Sequence, residues 1–576
     1  MAPSSSLTRI RDFLLELKRR KVYRVGAVYI IVGFAVAQGA EYLFAMTGLP
    51  VVASRAVAIV VLLGLPIALV LAWAYEVRPE GAAPAGQDSP GVSTLRPEEA
   101  HCSDRGASIV VLPFDNISPD PSDAYFADGL TEEITANLSA VRDLRVTSRT
   151  SATVLKQAGK DTRAIGAELG VAYVLEGSVR KAGGALRVTA QLIRADTDEH
   201  LWSERYDGAL EDVFGMQEEV ARSIVRTLEL HLEPDEERRL AARPMDDLRA
   251  YESYLKAREA SLRWTREALE QALEHLERAR ARVGENAVVL AGIGYVYSQF
   301  SNMGLHDRDY VALAEEHARR ALQLDPANPE AHMVLGFLYQ EGLRDVDLSV
   351  HHLERSLEVK PDDPHTLTWW IIALSLVGRN EEMSAAAVRL MEVDPLTPMS
   401  RGMLGYARQV RGDLEGGLAD LEVWYRASPA GSAASFFYAH ALATVGRHND
   451  SLAILRQEFA SDAEETWLFL AHLLSAALED PERMDAVMTD RSRTKAARDL
   501  QLSFYTTTIY ALAGLRGDAL GWLRHTVDGG FKNYPWMAQH EPWLSRYRDD
   551  SEFRTLFEAV GDAWREGAGQ PRPSPY

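Results

Sequence analysis

The chain is expected to be multidomain: an N-terminal transmembrane helical hairpin, a compact α/β domain, and an all-α C-terminal solenoid. Three observations predict this. Two apolar runs of 20 residues, Val25 to Phe44 and Ala56 to Tyr75, stand near the start of a 576-residue chain. Strand-like and helix-like patterns alternate between residues 107 and 232. Gly378, Gly412 and Gly446 follow at 34-residue intervals, and Gly514 stands two intervals later.

Each apolar run is about 30 Å long as a helix, enough to cross a bilayer. The short Met46–Arg55 connection makes residues 25–76 a hairpin. The leader 1–24 carries Arg9, Arg11, Lys18, Arg19, Arg20, Lys21 and Arg24 against Asp12 and Glu16, an excess that holds the N-terminus in the cytoplasm. Phe13, Leu14 and Leu17 interleave with these charges, so residues 7–21 are expected along the inner membrane surface. A cleaved signal peptide ending at Ala35-Val-Ala37 fits less well, because the charged leader is long and a second span follows. Glu41 lies near one end of its span, where it reaches the headgroups rather than forming an ion site. Two spans return the chain to its starting side, so the body is expected in the cytoplasm. Residues 77–106, with Pro79, Pro84, Pro90 and Pro97, read as a flexible linker.

Residues 107–232 read as α/β. Ser108 to Phe114 is a continuous apolar strand, and Phe126, Leu130, Ile134 and Leu138 line one side of the helix after it. A strand at 144–148 and a helix at 162–169 follow. Alternating residues on either side of Gly183-Gly184 predict a β-hairpin, His200 to Tyr206 an edge strand, and Glu211 to Leu230 a closing amphipathic helix. A βαβ start implies a right-handed crossover onto a mixed sheet.

Beyond residue 250 the period takes over, up to about residue 530. Pro361, Pro395 and Pro429 fall where one helix pair must stop before the next begins. Gly336, Gly405 and Ala439 on the first helices face Leu353, Leu421 and Leu455 on the second. Thirty-four residues is the tetratricopeptide period, and such a pair buries its apolar face only by stacking on neighbours. About seven units are expected. The one near Asp480 is degenerate, because Asp480, Asp485 and Thr489 occupy apolar positions. Residues 531–566, with Trp536, Trp543 and Phe557, are expected to cap the open end, and 567–576 to form a tail.

The runs Ile109-Val-Val-Leu-Pro-Phe-Asp-Asn116, Tyr125-Phe-Ala-Asp-Gly-Leu-Thr-Glu-Glu133, Tyr173-Val-Leu-Glu-Gly-Ser-Val179, Ala190-Gln-Leu-Ile193 and His200-Leu-Trp-Ser-Glu-Arg-Tyr-Asp207 resemble the TolB N-terminal-like (FlgO-like) domain of bacterial regulatory proteins. There it is followed by tetratricopeptide repeats. The membrane leader, Phe13 to Arg24 and Pro66 to Glu76, resembles the anchors found in those proteins. Relatives often carry a class III nucleotide cyclase, protein kinase or winged-helix DNA-binding domain in front. The leader is expected to take that place here. The resemblance implies architecture and is nearly silent about activity.

A net charge of −21 argues against nucleic acid as a partner. Cys102, the single cysteine, excludes an internal disulfide. No residue pattern calls for a cofactor or metal. Gly292-Ile-Gly294 starts like a dinucleotide fingerprint but meets Tyr297 in a repeat helix. Asp196, Asp198 and Glu199 read as a turn, Glu132 and Glu133 as a solvated helix face, and His351-His352 as diverging helix neighbours. Asp115 and Asn116 read as turn residues, with a small-ligand pocket as the alternative. The expected function is therefore a non-enzymatic membrane-anchored scaffold or regulator that recruits protein partners. A ligand-sensing or nucleotide-binding signalling protein and a periplasmic envelope-assembly factor are the alternatives. In the solenoid groove, Met333, Phe337, Ile372, Tyr406, Gln409, Phe436 and His440 are the expected partner-binding positions. Lys and Asn of carboxylate-clamping modules are absent from them. An apolar segment or amphipathic helix is the expected ligand, and packing within the chain is the competing role.

Overall fold

The computed structural model describes residues 107–568 apart from 244, 264, 306–307, 344, 430–431 and 460–466. The basic leader, both apolar runs, Glu41, the linker with Cys102 and the tail beyond 568 lie outside the described residues. Among the described residues no helix is long and apolar enough to cross a membrane.

Apolar side chains on both faces of β1 (Ala107–Val111) make it the middle of a two-sided core. Ile109 and Val111 face one layer, Val110 and Leu112 the other, as the two-residue period of a strand requires. After β2 (Asp115–Asn116) come α1 (Ala124–Ser139), β3 (Leu144–Thr147), α2 (Arg149–Gln157) and α3 (Thr162–Leu169). Then follow β4 (Tyr173–Ala182), β5 (Ala185–Arg194), β6 (Glu199–Ala209) and α4 (Val213–Thr227). The main sheet order is β3-β1-β4-β5-β6, and β2 also pairs with β4. β1 runs parallel to β3 and β4, and the hairpins β4–β5 and β5–β6 are antiparallel. Gly183 takes φ +60° in the two-residue turn between Ala182 and Ala185, a conformation that favours glycine. Helix α2 is absent from the sequence reading. Its nine residues bury only Ser151, Ala152 and Leu155, too little for a visible apolar period, and Ser148 starts it by accepting a bond from the Ser151 N–H at 3.1 Å.

α5 (Pro234–Leu240) leads into the helical hairpins. These pair α6 (Leu248–Ser261) with α7 (Arg266–Val283), α8 (Ala287–Asn302) with α9 (Tyr310–Leu324), and α10 (Pro329–Glu341) with α11 (Val346–Val359). They continue with α12 (Pro364–Val377) and α13 (Asn380–Val393), α14 (Pro398–Val410) and α15 (Leu414–Ala427), and α16 (Ala433–Thr444) and α17 (His448–Glu458). Proline opens α10, α12 and α14 at the first turn, where its missing N–H costs nothing. Gly378, Gly412, Gly446 and Gly514 all have φ between +75° and +86°, so the 34-residue clock marks left-handed turns after first helices. The close approach within each pair is real: a Cβ on Gly336 would stand 2.5 Å from Leu353 Cγ. Ser349 and Ser451, three periods apart, each donate to a first-helix carbonyl, Gly336 and Ala439, at 2.7 Å.

The irregular unit consists of α18 (Leu468–Glu479), a 3-10 turn at Pro481–Arg483, α19 (Met484–Val487) and α20 (Asp490–Arg498). Two of its polar residues are caps, and Asp485 is exposed in the first turn of α19. Asp480 accepts from the Glu482 N–H and Thr489 from the Ser492 N–H. A last regular pair, α21 (Leu500–Leu512) and α22 (Arg516–Asp528), precedes a π-helical turn at Pro535–His540, a 3-10 turn at Leu544–Tyr547 and α23 (Ser551–Ala568). This C-terminal segment does more than close the end of the solenoid. It returns to the middle repeats: the Lys532 N–H donates to the Leu376 carbonyl at 2.8 Å, Asn533 Nδ2 to Ser375 O at 2.6 Å, and Trp564 Nε1 to Gly378 O at 3.1 Å.

Candidate functional site

The first helices of the pairs carry the residues expected to line a groove, and the chain itself covers them in two ways. Over the early repeats lies α1 of the α/β domain. Glu132 accepts from Arg149 Nη1 at 3.2 Å and from Arg258 Nε at 3.0 Å, and Arg258 continues to Glu330 at 2.6 Å. Burial favours the neutral form of Glu132, but the charges of Arg258 and Arg149 outweigh it and hold the carboxyl below its ordinary range. Glu133 has no such partner; burial first, and then the neighbouring Glu132 charge, push it up to about 7. Glu132 and Glu133 therefore do not form the solvated face expected from sequence. Nearby, Lys181 Nζ lies 2.6 Å from Glu252 and donates to the Tyr125 hydroxyl at 3.0 Å, a second charged link between the α/β domain and α6.

A third link closes the β3 edge of the sheet. The Ser148 N–H donates to Val393 O at 2.7 Å, and Ser151 Oγ donates to Asp394 at 2.8 Å, as Ser148 Oγ also does. The Leu396 N–H donates back to Ser151 Oγ at 3.1 Å, and Arg145 reaches Glu392 O at 2.8 Å. The seam is made of hydroxyls, carboxylates and backbone, which can all be rehydrated.

Over the later repeats the cover is aromatic. Tyr406 lies 5.9 Å from Trp536, Phe436 lies 5.5 Å from both Trp467 and Tyr505, and His440 is 4.9 Å from Trp543, measured between ring centres. The Tyr406 hydroxyl is 2.7 Å from Ser375 Oγ. Phe337 packs on Trp369 at 4.6 Å. The expectation of an open partner groove at Met333, Phe337, Ile372, Tyr406, Phe436 and His440 is thus corrected: all six side chains are buried, Tyr406 and Phe436 to 1% and 0% exposure. Gln409 is half-buried and donates to Leu414 O at 2.9 Å. The returning segment supplies Trp536 and Trp543, and the signal that could have revealed this was their aromatic excess in a segment read only as an end cap.

Elsewhere the chemistry is structural. Asn116 accepts from the Ser118 N–H at 3.0 Å, and Asp115 pairs with Lys156 at 2.7 Å. Asp198 sits in a turn at φ +61°. His352 Nδ1 lies 2.9 Å from His332 Nδ1, whose other nitrogen is 3.0 Å from Pro326 O. Gly292 and Gly294 lie inside α8, where Gly294 lets the Ala314 carbonyl approach. Among the described residues no group of His, Cys, Asp and Glu side chains could hold a metal ion.

Residues 105–222, nearly the whole α/β region, match the family described as the HilA/YgeH-like transcriptional regulator, second domain. A protein of Rhizobium meliloti (strain 1021) named "Putative adenylate cyclase 3" is 38% identical over 253 residues, 42% of this chain and 42% of that protein. The chain thus spans less than half the length of this curated relative. Among solved structures, a thermophilic TPR protein of Thermus thermophilus aligns with 34% of this chain and 99% of its own at 18% identity and TM-score 0.27. A tetratricopeptide repeat protein of Parabacteroides merdae aligns with 55% and 99% at 11% identity and TM-score 0.30. TolB of Acinetobacter baumannii aligns with 22% and 29% at 18% identity and TM-score 0.18. The chain is similar to a regulator domain and to part of a cyclase-named protein in sequence, and its own geometry is that of an α/β domain followed by a solenoid of helical hairpins at tetratricopeptide spacing.

Proposed function

We propose that the chain is a non-enzymatic, membrane-anchored scaffold or regulator that recruits protein partners through its solenoid, with the α/β domain as a docked and releasable module. The observation that carries this reading is the polar seam: Glu132 and Arg258, Ser148 and Ser151 with Asp394, and Lys181 with Glu252 hold the α/β domain on the repeats. Polar links of this kind are rehydrated on opening, while the contact of Phe214 with Tyr251 at 4.6 Å is the apolar part that release must also separate. Release would uncover the first helices α6, α8 and α10. The family matched by residues 105–222 is described as a transcriptional-regulator domain, and the curated relative carries the name of a putative adenylate cyclase, which suits a module that serves separate outputs. The TolB N-terminal-like assignment, the two spans and the cytoplasmic side of the inner membrane belong to the same proposal and rest on the motifs and charge pattern quoted above.

The test is affinity purification of the full-length chain from its membrane, compared with a Ser148→Ala/Ser151→Ala/Glu132→Gln variant. The reading expects a protein partner, recovered in larger amount with the variant. Turnover of ATP or another nucleotide by the purified chain would replace it with the enzyme reading suggested by the relative's name. A reporter fused after Arg78 that is active only in the periplasm would move the body to the other side of the membrane.

A further inference from the structure

The returning C-terminal segment leaves a small cavity against α14 and α16, walled by Tyr406, Phe437, Tyr505 and Trp536 and floored by His440 and Glu541. The rings stand around it as a cage: Tyr505 is 5.6 Å from Phe437 and 6.2 Å from Trp536, and Tyr406 is 5.9 Å from Phe437. About 20 Å³ is open to the centre of a water-sized group, enough to seat one ammonium head.

The two polar groups on the floor are incompletely partnered. The Thr444 hydroxyl donates to His440 O at 2.9 Å, and its oxygen lies 3.5 Å from His440 Nδ1. His440 Nε2 is buried and has no hydrogen-bond partner. Glu541 is 3% exposed. One of its oxygens accepts from the Trp543 N–H at 3.2 Å, and no cation pairs with it among the described residues.

We infer that this cavity is a binding site for a primary ammonium group. Such a group is water-sized, carries donors and no acceptor, and bears the charge that Glu541 lacks opposite it. The π systems of Tyr505 and Trp536, which line the cavity, add cation–π attraction in a desolvated setting. Guanidinium and tetramethylammonium carry bulkier heads, and an anion would meet the ionised Glu541. A free ammonium ion, a small amine and a lysine side chain all present this group. The inference does not depend on the partner reading above.

Burial pushes Glu541 up to about 8 and lowers His440 to about 3. The other titratable groups at the cavity are His540, lowered by burial and then by Arg411, and Tyr406 and Tyr505, both raised by burial. Glu541 alone changes charge between pH 7 and 9, and it must ionise to pair with an ammonium.

The test is calorimetric titration of the full-length chain with methylammonium chloride at pH 9, against sodium chloride and tetramethylammonium chloride at equal ionic strength. Saturable one-site binding is expected, at least tenfold stronger than tetramethylammonium and weakened about tenfold at pH 7. Glu541→Gln should weaken it at least tenfold, and the wild-type pH dependence serves as a readout that needs no variant. Tighter binding of n-butylammonium and Nα-acetyl-lysine amide than of methylammonium would identify a lysine side chain as the source. Weaker binding would identify a free small amine. Absence of saturable heat, binding unchanged between pH 7 and 9, or equal affinity for tetramethylammonium would overturn the inference and leave the cavity to a water molecule.

Discussion

The early and late halves of the solenoid share one hairpin geometry, but ion pairs reinforce the cover of the first and aromatic rings the cover of the second. Over α6, α8 and α10 the cover is the α/β domain, held by Glu132, Arg258 and Glu330 in a charged chain. Over α14 and α16 it is the chain's own C-terminal segment, held by Tyr406, Phe436, Tyr505 and Trp536. Charges regain most of their energy in water when a contact opens, whereas aromatic surface does not. The first cover adds ion pairs to an apolar contact, Phe214 on Tyr251 at 4.6 Å, whereas the second is held by aromatic packing.

The harshest way to break the comparison is Tyr406→Ala. Removing a fully buried ring and its bond to Ser375 should cost about 3–5 kcal/mol in denaturant unfolding. A change within a few tenths would return this position to the role of an open binding surface. Arg258→Ala comes next. It strips Glu132 and Glu330 of their shared partner in a half-buried setting, and about 1–3 kcal/mol should be lost. The loss should appear as faster hydrogen exchange in α1 and leave the aromatic repeats protected; uniform loss across both halves would show that the two covers are one unit.

Glu133 tests the ionic cover through pH. Its folded-state value, about 7, lies above the ordinary carboxylate value, so its favourable contribution is complete below about pH 4.5 and is lost as pH rises through 7. Glu133→Gln should therefore raise stability by about 1 kcal/mol at pH 8 and by nothing at pH 4. Thermal melts of both proteins at the two pH values give the difference, and a gain confined to acid pH would reverse the assigned sign.

The finest comparison uses two glycines with the same backbone. Gly446→Ala puts a Cβ at φ +80° into open space and should cost about 1 kcal/mol. Gly412→Ala, at φ +86°, also brings the Cβ to 2.5 Å from His540 Nδ1 in the returning segment and should cost measurably more. The excess should vanish in a His540→Ala background, since the clash is with that ring. An excess that persists would place the strain within the repeat.

What the sequence by itself determined is local. Glycines every 34 residues mark left-handed turns because few other residues adopt φ near +80° without strain, and prolines open first turns because an N–H is not needed there. The hairpin at Gly183-Gly184 and the two-sided strand at Ile109 follow from periods of two. The polar exceptions were legible as disruptions but not as the caps that Asp480 and Thr489 became. Which face of the solenoid is open was not legible at all. An aromatic residue facing inward from a first helix has the same spacing whether it meets solvent, a partner or Trp536 from 130 residues downstream of Tyr406. Only tertiary structure decides among these, because burial depends on where distant segments pack, and helical period records a side chain's direction without recording what it meets.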